Sequence, residues 1–267
     1  MSSTRVVTSI VLVPILFVVV WLLPPVYFAA LAILAAAIGQ YELYTMARTR
    51  GITPLMITGI ALGALIVFNV YRPFLVYRGG AYFWITLCLL TVIVARLFSR
   101  RSVDGALEDI MVTLFGIFYV ALLFSFQVAI HAGSPGKRWL VLLYLVIWAS
   151  DTGAYYVGTA FGKHRLYEKI SPKKSIEGLL GGVLASVLVA VLCKLWLLPM
   201  LGFVEAVVLG AVLALVGTAG DLAESLIKRS VGVKDSGTII PGHGGILDRM
   251  DSMLFAAPVL FFYLRMR

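Results

Sequence analysis

The sequence predicts an all-α fold, a polytopic integral membrane bundle of about nine transmembrane helices. The first observation is composition: of 267 residues, 61% are hydrophobic and 13% are charged, whereas about 25% of a soluble domain is charged. The second is that the apolar residues occur in runs close to the roughly 20 residues that span a bilayer. These runs are expected to be helices, because lipid cannot satisfy the backbone N–H and C=O groups of an open strand.

Nine apolar runs follow one another along the chain, and each is expected to form one span. The fourth run is short, and the second is interrupted by Glu42. The first is longer than the 7–15 residues of a signal-peptide core, so it is expected to be retained. In chain order the runs cover residues 6–23, 26–47, 54–70, 81–95, 110–130, 140–161, 176–198, 204–227 and 246–264. We divide the chain into N-terminal transmembrane helices, residues 1–135, and a catalytic region, residues 136–267.

The basic residues predict the orientation in the membrane. Most of the 22 lysines and arginines lie in segments on one side of the predicted spans, beginning with Arg5. The positive-inside rule places that side and the N-terminus in the cytoplasm, and the C-terminus outside. The net charge of +9 indicates attraction to anionic lipid rather than to nucleic acid. The longest polar connections, residues 162–175 and 228–245, fall on the predicted cytoplasmic side, where the chemistry is expected.

Asp151 lies inside the sixth apolar run, and Asp221 with Glu224 interrupts the eighth. An aspartate at bilayer depth costs roughly 2.5–3.5 kcal/mol, so such acids usually face an interior and have a function. Asp221, Glu224 and Lys228 are three and four residues apart and share one helix face, with Ser225 one turn after Asp221. A Glu224–Lys228 pair within the helix accounts for two of these charges, whereas Asp221 needs a cation from elsewhere. Asp151 is open between a metal ligand, a polar network and a partner for a loop lysine.

Asp248 and Asp251 are three residues apart and begin the last apolar run. Acids in the first turn of a helix complement its macrodipole, which is one explanation for both. Together with Asp221 they also suit a shared site for a divalent cation. Magnesium prefers a few carboxylates together with water and substrate phosphates.

The connection before this run supplies the opposite charge, together with glycines that permit close backbone approach. Basic side chains and glycines near a helix N-terminus are typical of a phosphate site. His243 taken alone favours a hydrogen-bonding role in the loop over metal ligation. The basic residues of this connection are Lys228, Arg229, Lys234 and His243. Carboxylates for a metal and cations for phosphate favour phosphoryl or nucleotidyl transfer.

A second basic element lies at residues 171–178. Ser171 is expected to cap a helix that Pro172 begins, which would leave Lys173 and Lys174 near its positive end. Anion binding and positive-inside anchoring both explain this lysine pair. Glycines four residues apart, Gly158 with Gly162 and Gly178 with Gly182, favour close helix packing, either within or between subunits. Cys88 and Cys193 lie in apolar runs and are expected to pack rather than to form a disulfide or bind metal.

The stretch from Ser225 to Asp251 resembles the signature of the phosphatidate cytidylyltransferases, also called CDP-diacylglycerol synthases. It reads Ser-x-x-Lys-Arg, four residues, Lys-Asp, five residues, then Pro-x-His-Gly-Gly-x-x-Asp-Arg-x-Asp. The segments at residues 151–155 and 171–178 are also similar to that family, with Ser175 where threonine is often found. The resemblance covers about the second half of the chain, and the first five runs match only in being hydrophobic.

The resemblance implies transfer of a cytidylyl group from CTP to phosphatidic acid, giving CDP-diacylglycerol and pyrophosphate. The family is magnesium-dependent and faces the cytoplasm in bacteria, which implies the bacterial inner membrane, and its members act as dimers. By its pattern Asp221 and Asp248 are the principal metal ligands and Asp251 a further candidate. We expect catalytic roles for Asp221, Lys228 and Asp248. We expect substrate contacts at Lys173, Lys174, Ser225, Arg229, Lys234, His243 and Arg249.

Two other functions explain some of the same residues. A membrane transporter with a buried ion pathway also places acids and lysines among apolar helices. A transporter usually shows paired inverted halves, whereas the charge here is concentrated in the last third of the chain. A CTP-dependent lipid kinase shares the substrates and would release CDP.

Overall fold

The computed structural model describes residues 13–72, 80–239 and 244–267, and these are almost entirely helical. Within these ranges the strands form one small antiparallel hairpin. In chain order the elements are α1 (13–21), α2 (Pro25–Arg48), α3 (Met56–Tyr71), α4 (Gly80–Leu97), α5 (Ala106–Gly116), a π-helical segment (Ile117–Leu122), α6 (Leu123–Ala132), α7 (Gly136–Phe161), β1 (Arg165–Tyr167), β2 (Ser171–Ser175), α8 (Ile176–Trp196), α9 (Phe203–Ser230) and α10 (Leu247–Met266).

The predicted fold class, an all-α polytopic membrane protein, is confirmed. Six of the described helices are long and apolar enough to cross a membrane, and α3 is a shorter apolar helix. The six are α2, α4, the continuous stretch Ala106–Ala132, α7, α8 and α9. The last helix, α10, is not among them and carries Asp248, Arg249 and Asp251 in its first turns. The number of nine spans stays a prediction, and part of the first run lies outside the described residues.

The chain folds as two compact units, and each is discontinuous in sequence. Unit 1 comprises Met1–Ala129 with Ser230–Arg249, and unit 2 comprises Ile130–Arg229 with Met250–Arg267. Unit 1 therefore contains the described part of the connection between α9 and α10, residues 231–246, which we term the signature connection. It also contains the first residues of α10. The predicted division of the chain into N-terminal helices, residues 1–135, and a catalytic region, residues 136–267, stays a prediction.

A buried carboxylate ties together the helix ends in unit 1. Asp109, in the first turn of α5, is 3% exposed and accepts hydrogen bonds from Arg96 Nε at 3.0 Å and Thr53 N at 2.7 Å. The Arg96 charge and the amide donor stabilise this carboxylate away from water. Cys88, also in unit 1, belongs to an apolar cluster. Both cysteines are free and buried, as the packing prediction required.

Glycines allow α7 and α8 to pack closely in unit 2. A Cβ atom added to Gly153 would lie 2.6 Å from the carbonyl oxygen of Gly181, and one added to Gly182 would lie 2.9 Å from that of Ser150. A Cβ atom on Gly158 would lie 3.5 Å from the Gly178 Cα atom. The small-residue spacing is therefore used within the subunit, which answers a question that the sequence left open.

The start of α8 differs from the sequence prediction. Ser171 and Pro172 neither cap nor begin the helix, because they lie in β2, which pairs with β1 through Tyr167 opposite Ser171. The N-cap is Ser175, whose hydroxyl accepts a hydrogen bond from Gly178 N at 3.1 Å. The prediction was wrong because proline is also tolerated in an edge strand. Lys173 and Lys174 therefore precede the cap on a strand.

We predict that Gly153→Ala destabilises the protein by about 1–3 kcal/mol, because the new methyl group meets a backbone carbonyl that moves only with its helix. The apparent Tm in detergent should fall by about 3–10 °C. Thr152→Ala is the matched control on the same helix, since the exposed Thr152 hydroxyl bonds to the Trp148 carbonyl oxygen of its own helix. An unchanged Tm for Gly153→Ala would contradict the packing argument.

Candidate active site

One face of α9 carries the polar residues that the spacing predicted. Ser225 Oγ donates a hydrogen bond to Asp221 Oδ1 at 3.3 Å, and Lys228 Nζ lies 3.3 Å from Glu224 Oε1. Glu224 is fully buried, and Lys228 is 9% exposed. The predicted Glu224–Lys228 pair within the helix is therefore confirmed. The Lys228 ammonium group supplies the positive charge that the buried Glu224 carboxylate needs away from water.

Asp221 receives its cation from outside α9, as the sequence prediction required. The partner is Lys174 of β2, whose Nζ lies 2.5 Å from Asp221 Oδ2. The two side chains are 26% and 30% exposed. The hairpin thus joins the second basic element of the sequence to the charged face of α9. A partly exposed pair is weakly stabilising, so each partner can exchange for another ion at little cost.

Asp251 lies on the part of α10 that belongs to unit 2. Its carboxyl group lies close enough to Glu224 and Asp221 of α9 and to Asp151 of α7 to interact with them electrostatically. Its Oδ1 atom also accepts a hydrogen bond from Ser252 N at 2.6 Å. Asp151, whose role the sequence left open, therefore belongs to the same acidic group. Unit 2 gathers carboxyl groups from three helices beside two lysines.

Asp248 belongs to unit 1, where backbone amides orient its carboxylate. Its Oδ2 atom accepts hydrogen bonds from Ser236 N at 2.9 Å and from Gly245 N at 2.9 Å. Asp248 also lies in the first turn of α10, where a negative charge complements the helix dipole. Asp248 therefore accepts hydrogen bonds from two backbone amides of the connection and also complements the dipole of α10.

Glu42, which sequence reasoning treated only as an interruption of the second run, holds the same segment. It lies on α2, is 2% exposed, and accepts hydrogen bonds from Ile246 N at 3.0 Å and Leu247 N at 2.9 Å. Ser236 Oγ donates to it as well, at 3.1 Å. The signal was available, because an acid in an apolar run is the same feature that singled out Asp221.

Two glycines of the signature connection make room for Glu42. A Cβ atom at Gly237 would lie 2.7 Å from Glu42 Oε1, and one at Gly245 would overlap both Glu42 Oε2 and Ser236 Oγ. Gly244 has a φ of +84°, a conformation that side-chain-bearing residues rarely adopt. Gly237 and Gly245 thus have an observed role in packing the connection around a carboxylate.

The remaining predicted substrate contacts are basic residues at the surface of their units. Lys173 and Arg229 are exposed in unit 2, and Lys234 and Arg249 are exposed in unit 1. His243 lies outside the described residues. Substrate contact at these positions stays a prediction.

Comparison with known proteins places the chain in a family. The model of the cytidylyltransferase family matches residues 3–267. A phosphatidate cytidylyltransferase of Synechocystis is 33% identical over 291 residues, covering 98% of this chain and 96% of the relative. Proteins of the same name from Staphylococcus epidermidis and Staphylococcus aureus are 42% and 43% identical, over 57% of this chain and 58% of each relative. The chain belongs to the cytidylyltransferase family.

The acidic group of this cytidylyltransferase has the chemistry of a hard-cation site without a complete protein cage. Across residues 13–72, 80–239 and 244–267 no three His, Cys, Asp or Glu side chains are arranged to enclose a metal ion. Magnesium does not need such a cage, because it retains water and takes oxygens from substrate phosphates. Asp221 pairs with the Lys174 ammonium group and interacts electrostatically with the Asp251 carboxyl group, so both residues could supply oxygen atoms to such an ion.

We predict that Lys228→Met destabilises the protein by about 3–5 kcal/mol, because it removes the cation from a fully buried carboxylate. The double variant Lys228→Met/Glu224→Gln should recover part of this loss. Lys174→Met is the matched comparison on a more exposed pair and should cost about 1 kcal/mol or less. Thermal unfolding in detergent measures all three. A double variant less stable than Lys228→Met would contradict the assignment of Lys228 as the cation that stabilises Glu224.

Proposed function

We propose that this membrane protein is a phosphatidate cytidylyltransferase that forms CDP-diacylglycerol and pyrophosphate from CTP and phosphatidic acid in phospholipid biosynthesis. The observation that carries the proposal is the complete signature, Ser225 to Asp251, in a chain aligned almost end to end with a phosphatidate cytidylyltransferase. The apolar helices fit a lipid substrate, and the charged groups fit a nucleotide.

In the proposed reaction a phosphate oxygen of phosphatidic acid attacks the α-phosphorus of CTP. The new P–O bond forms as the bond to the β-phosphate oxygen breaks, and pyrophosphate leaves. The attacking oxygen is already anionic, so the site needs no strong base. The main barrier is the approach of two polyanions, which positive groups lower by neutralising charge. Lys228, Arg229 and Lys234 are proposed to do this for CTP or the lipid headgroup.

Lys174 is proposed to bind a substrate phosphate, with Lys173 beside it on β2. Lys174 pairs with Asp221 at 2.5 Å, and the partial exposure of this pair favours exchange. A phosphate that takes Lys174 would leave the Asp221 carboxylate to another cation. Ser225, His243 and Arg249 complete the proposed substrate contacts.

Asp221 and Asp248 are proposed to hold magnesium, with Asp251 as a further ligand. The assignment rests on the signature and on the oxygen chemistry of the donors. Magnesium, when bound, would supply positive charge that stabilises the negative charge of the leaving pyrophosphate. Asp248 contributes a carboxylate whose orientation two backbone amides already fix. We further propose that the protein is a homodimer in the bacterial inner membrane, with these residues facing the cytoplasm.

We predict that the purified protein in detergent converts CTP and phosphatidic acid to CDP-diacylglycerol with magnesium as the divalent ion. Asp221→Asn and Asp248→Asn should each lower kcat by at least about 100-fold, the scale of losing one electrostatic stabiliser of a transition state. Asp104→Asn is the control, since the exposed Asp104 side chain accepts a hydrogen bond from Ser102 in a surface turn. Retained activity in either site variant would refute its metal role.

We also predict that EDTA abolishes the reaction and that added magnesium restores it, because the carboxylates bind the ion reversibly.

Product identity is measured in the same assay. Release of CDP instead of pyrophosphate would replace the proposal by a lipid kinase. Solute flux into liposomes without nucleotide turnover would replace it by a transporter.

A further inference from the structure

Glu42 contacts the signature connection from a distant part of the chain. It lies 194 residues before Ser236, 204 before Ile246 and 205 before Leu247. All three groups donate hydrogen bonds to its carboxylate. All of these residues lie in unit 1, so the arrangement is internal to one compact unit.

The contacts satisfy backbone groups that a helix start leaves open. The first N–H groups of a helix have no partner within the helix. At α10 the Ile246 and Leu247 amides donate to the two carboxylate oxygens of Glu42, at 3.0 and 2.9 Å. Hydrogen bonds to a carboxylate are about twice as strong as those between neutral groups. Glu42 therefore acts as a cap supplied by α2 rather than by the adjoining residues.

Ser236 connects this cap to Asp248. Its hydroxyl donates to Glu42 Oε2 at 3.1 Å, while its backbone N–H donates to Asp248 Oδ2 at 2.9 Å. The Asp248 amide in turn lies 3.3 Å from Ser236 Oγ. A displacement of Ser236 would therefore move the donor that orients the Asp248 carboxylate.

We propose that Glu42 is a positioning residue for cytidylyl transfer: it fixes Ser236 and the start of α10, and through them the Asp248 carboxylate. The inference rests on the proposed function, in which Asp248 acts in the reaction. Glu42 itself touches no reacting atom in this assignment. The glycines at positions 237 and 245 belong to the same arrangement, since side chains there would displace the carboxylate.

The test compares Glu42→Gln with Asp109→Asn. Asp109 is the matched control, because it is also a buried carboxylate of unit 1 that accepts several hydrogen bonds, from Thr53 and Arg96 instead of the connection. Both substitutions remove one buried negative charge and retain the side-chain shape. A purely structural role for Glu42 predicts similar behaviour of the two variants at equal folded fraction.

Glu42→Gln should lower kcat by about 10–100-fold, the range found when a partner that orients an active-site ligand is lost. The KM values for CTP and phosphatidic acid should stay within about threefold, because substrate-binding residues are unchanged. Glu42→Asp, which keeps the charge on a shorter side chain, should lie between Glu42→Gln and the unaltered protein. Asp109→Asn should keep kcat within about threefold, whatever its Tm.

Hydrogen exchange followed by mass spectrometry supplies a readout that needs no activity. In Glu42→Gln the amides of Ser236, Gly245, Ile246 and Leu247 should exchange at least about tenfold faster, because their hydrogen-bonded segment opens more often. Asp109→Asn should leave that segment unchanged. Ser236→Ala removes the hydroxyl that donates to Glu42 and accepts from the Asp248 amide. It should show a smaller increase and a several-fold lower kcat, and it carries the test if Glu42→Gln does not fold.

Unchanged exchange in the segment, or equal kcat losses in Glu42→Gln and Asp109→Asn at equal folded fraction, would overturn the proposal. Absence of CDP-diacylglycerol synthesis in the unaltered protein would instead refute the proposed function. In that case the exchange comparison still decides whether Glu42 holds the segment, so the two failures are distinguishable.

Discussion

The structure depends on how carboxylates are stabilised among apolar helices. Each such group loses its hydration on burial, and the loss exceeds the stability that one apolar side chain provides. Each carboxylate therefore needs cations or several hydrogen-bond donors nearby. Glu42, Asp109 and Glu224 are each 3% exposed or less. Their partners lie on α4, α9 and α10 and in the connections before α3 and α10, so the carboxylates also determine which segments must lie together within each unit.

Two kinds of partner appear, and they differ in how readily they exchange. A partly exposed lysine compensates Asp221 in unit 2, whereas amides and a hydroxyl surround Glu42 in unit 1. A lysine on a flexible stem can leave its partner for a phosphate. Backbone amides at a helix start are fixed by the helix itself. The first arrangement suits a site that receives anions, and the second suits a segment that must keep one conformation.

The sequence predicted the membrane helices and the α9 face because both depend on local spacing. Glu224 and Lys228 are four residues apart, and any helix brings them together. Burial cost also showed that Asp221 needs a distant cation, but spacing cannot identify which lysine the chain folds against it. That choice depends on the β1–β2 hairpin, and Pro172 was read as a helix start when it lies in a strand. The partners of Glu42 could not be identified for the same reason, since they are about 200 residues away.

The position of Lys174 matters for the proposed chemistry because it precedes the α8 cap instead of lying within the helix. A lysine in the first turn would be repelled by the positive helix end and fixed on one face. On β2 it stands beside the helix start and pairs with Asp221 while remaining 26% exposed. Water screens this pair, so a phosphate carrying more than one negative charge competes effectively for the ammonium group. In the proposed reaction a substrate phosphate therefore replaces Asp221 as the partner of Lys174. Substrate binding then makes the Asp221 carboxylate available to another cation.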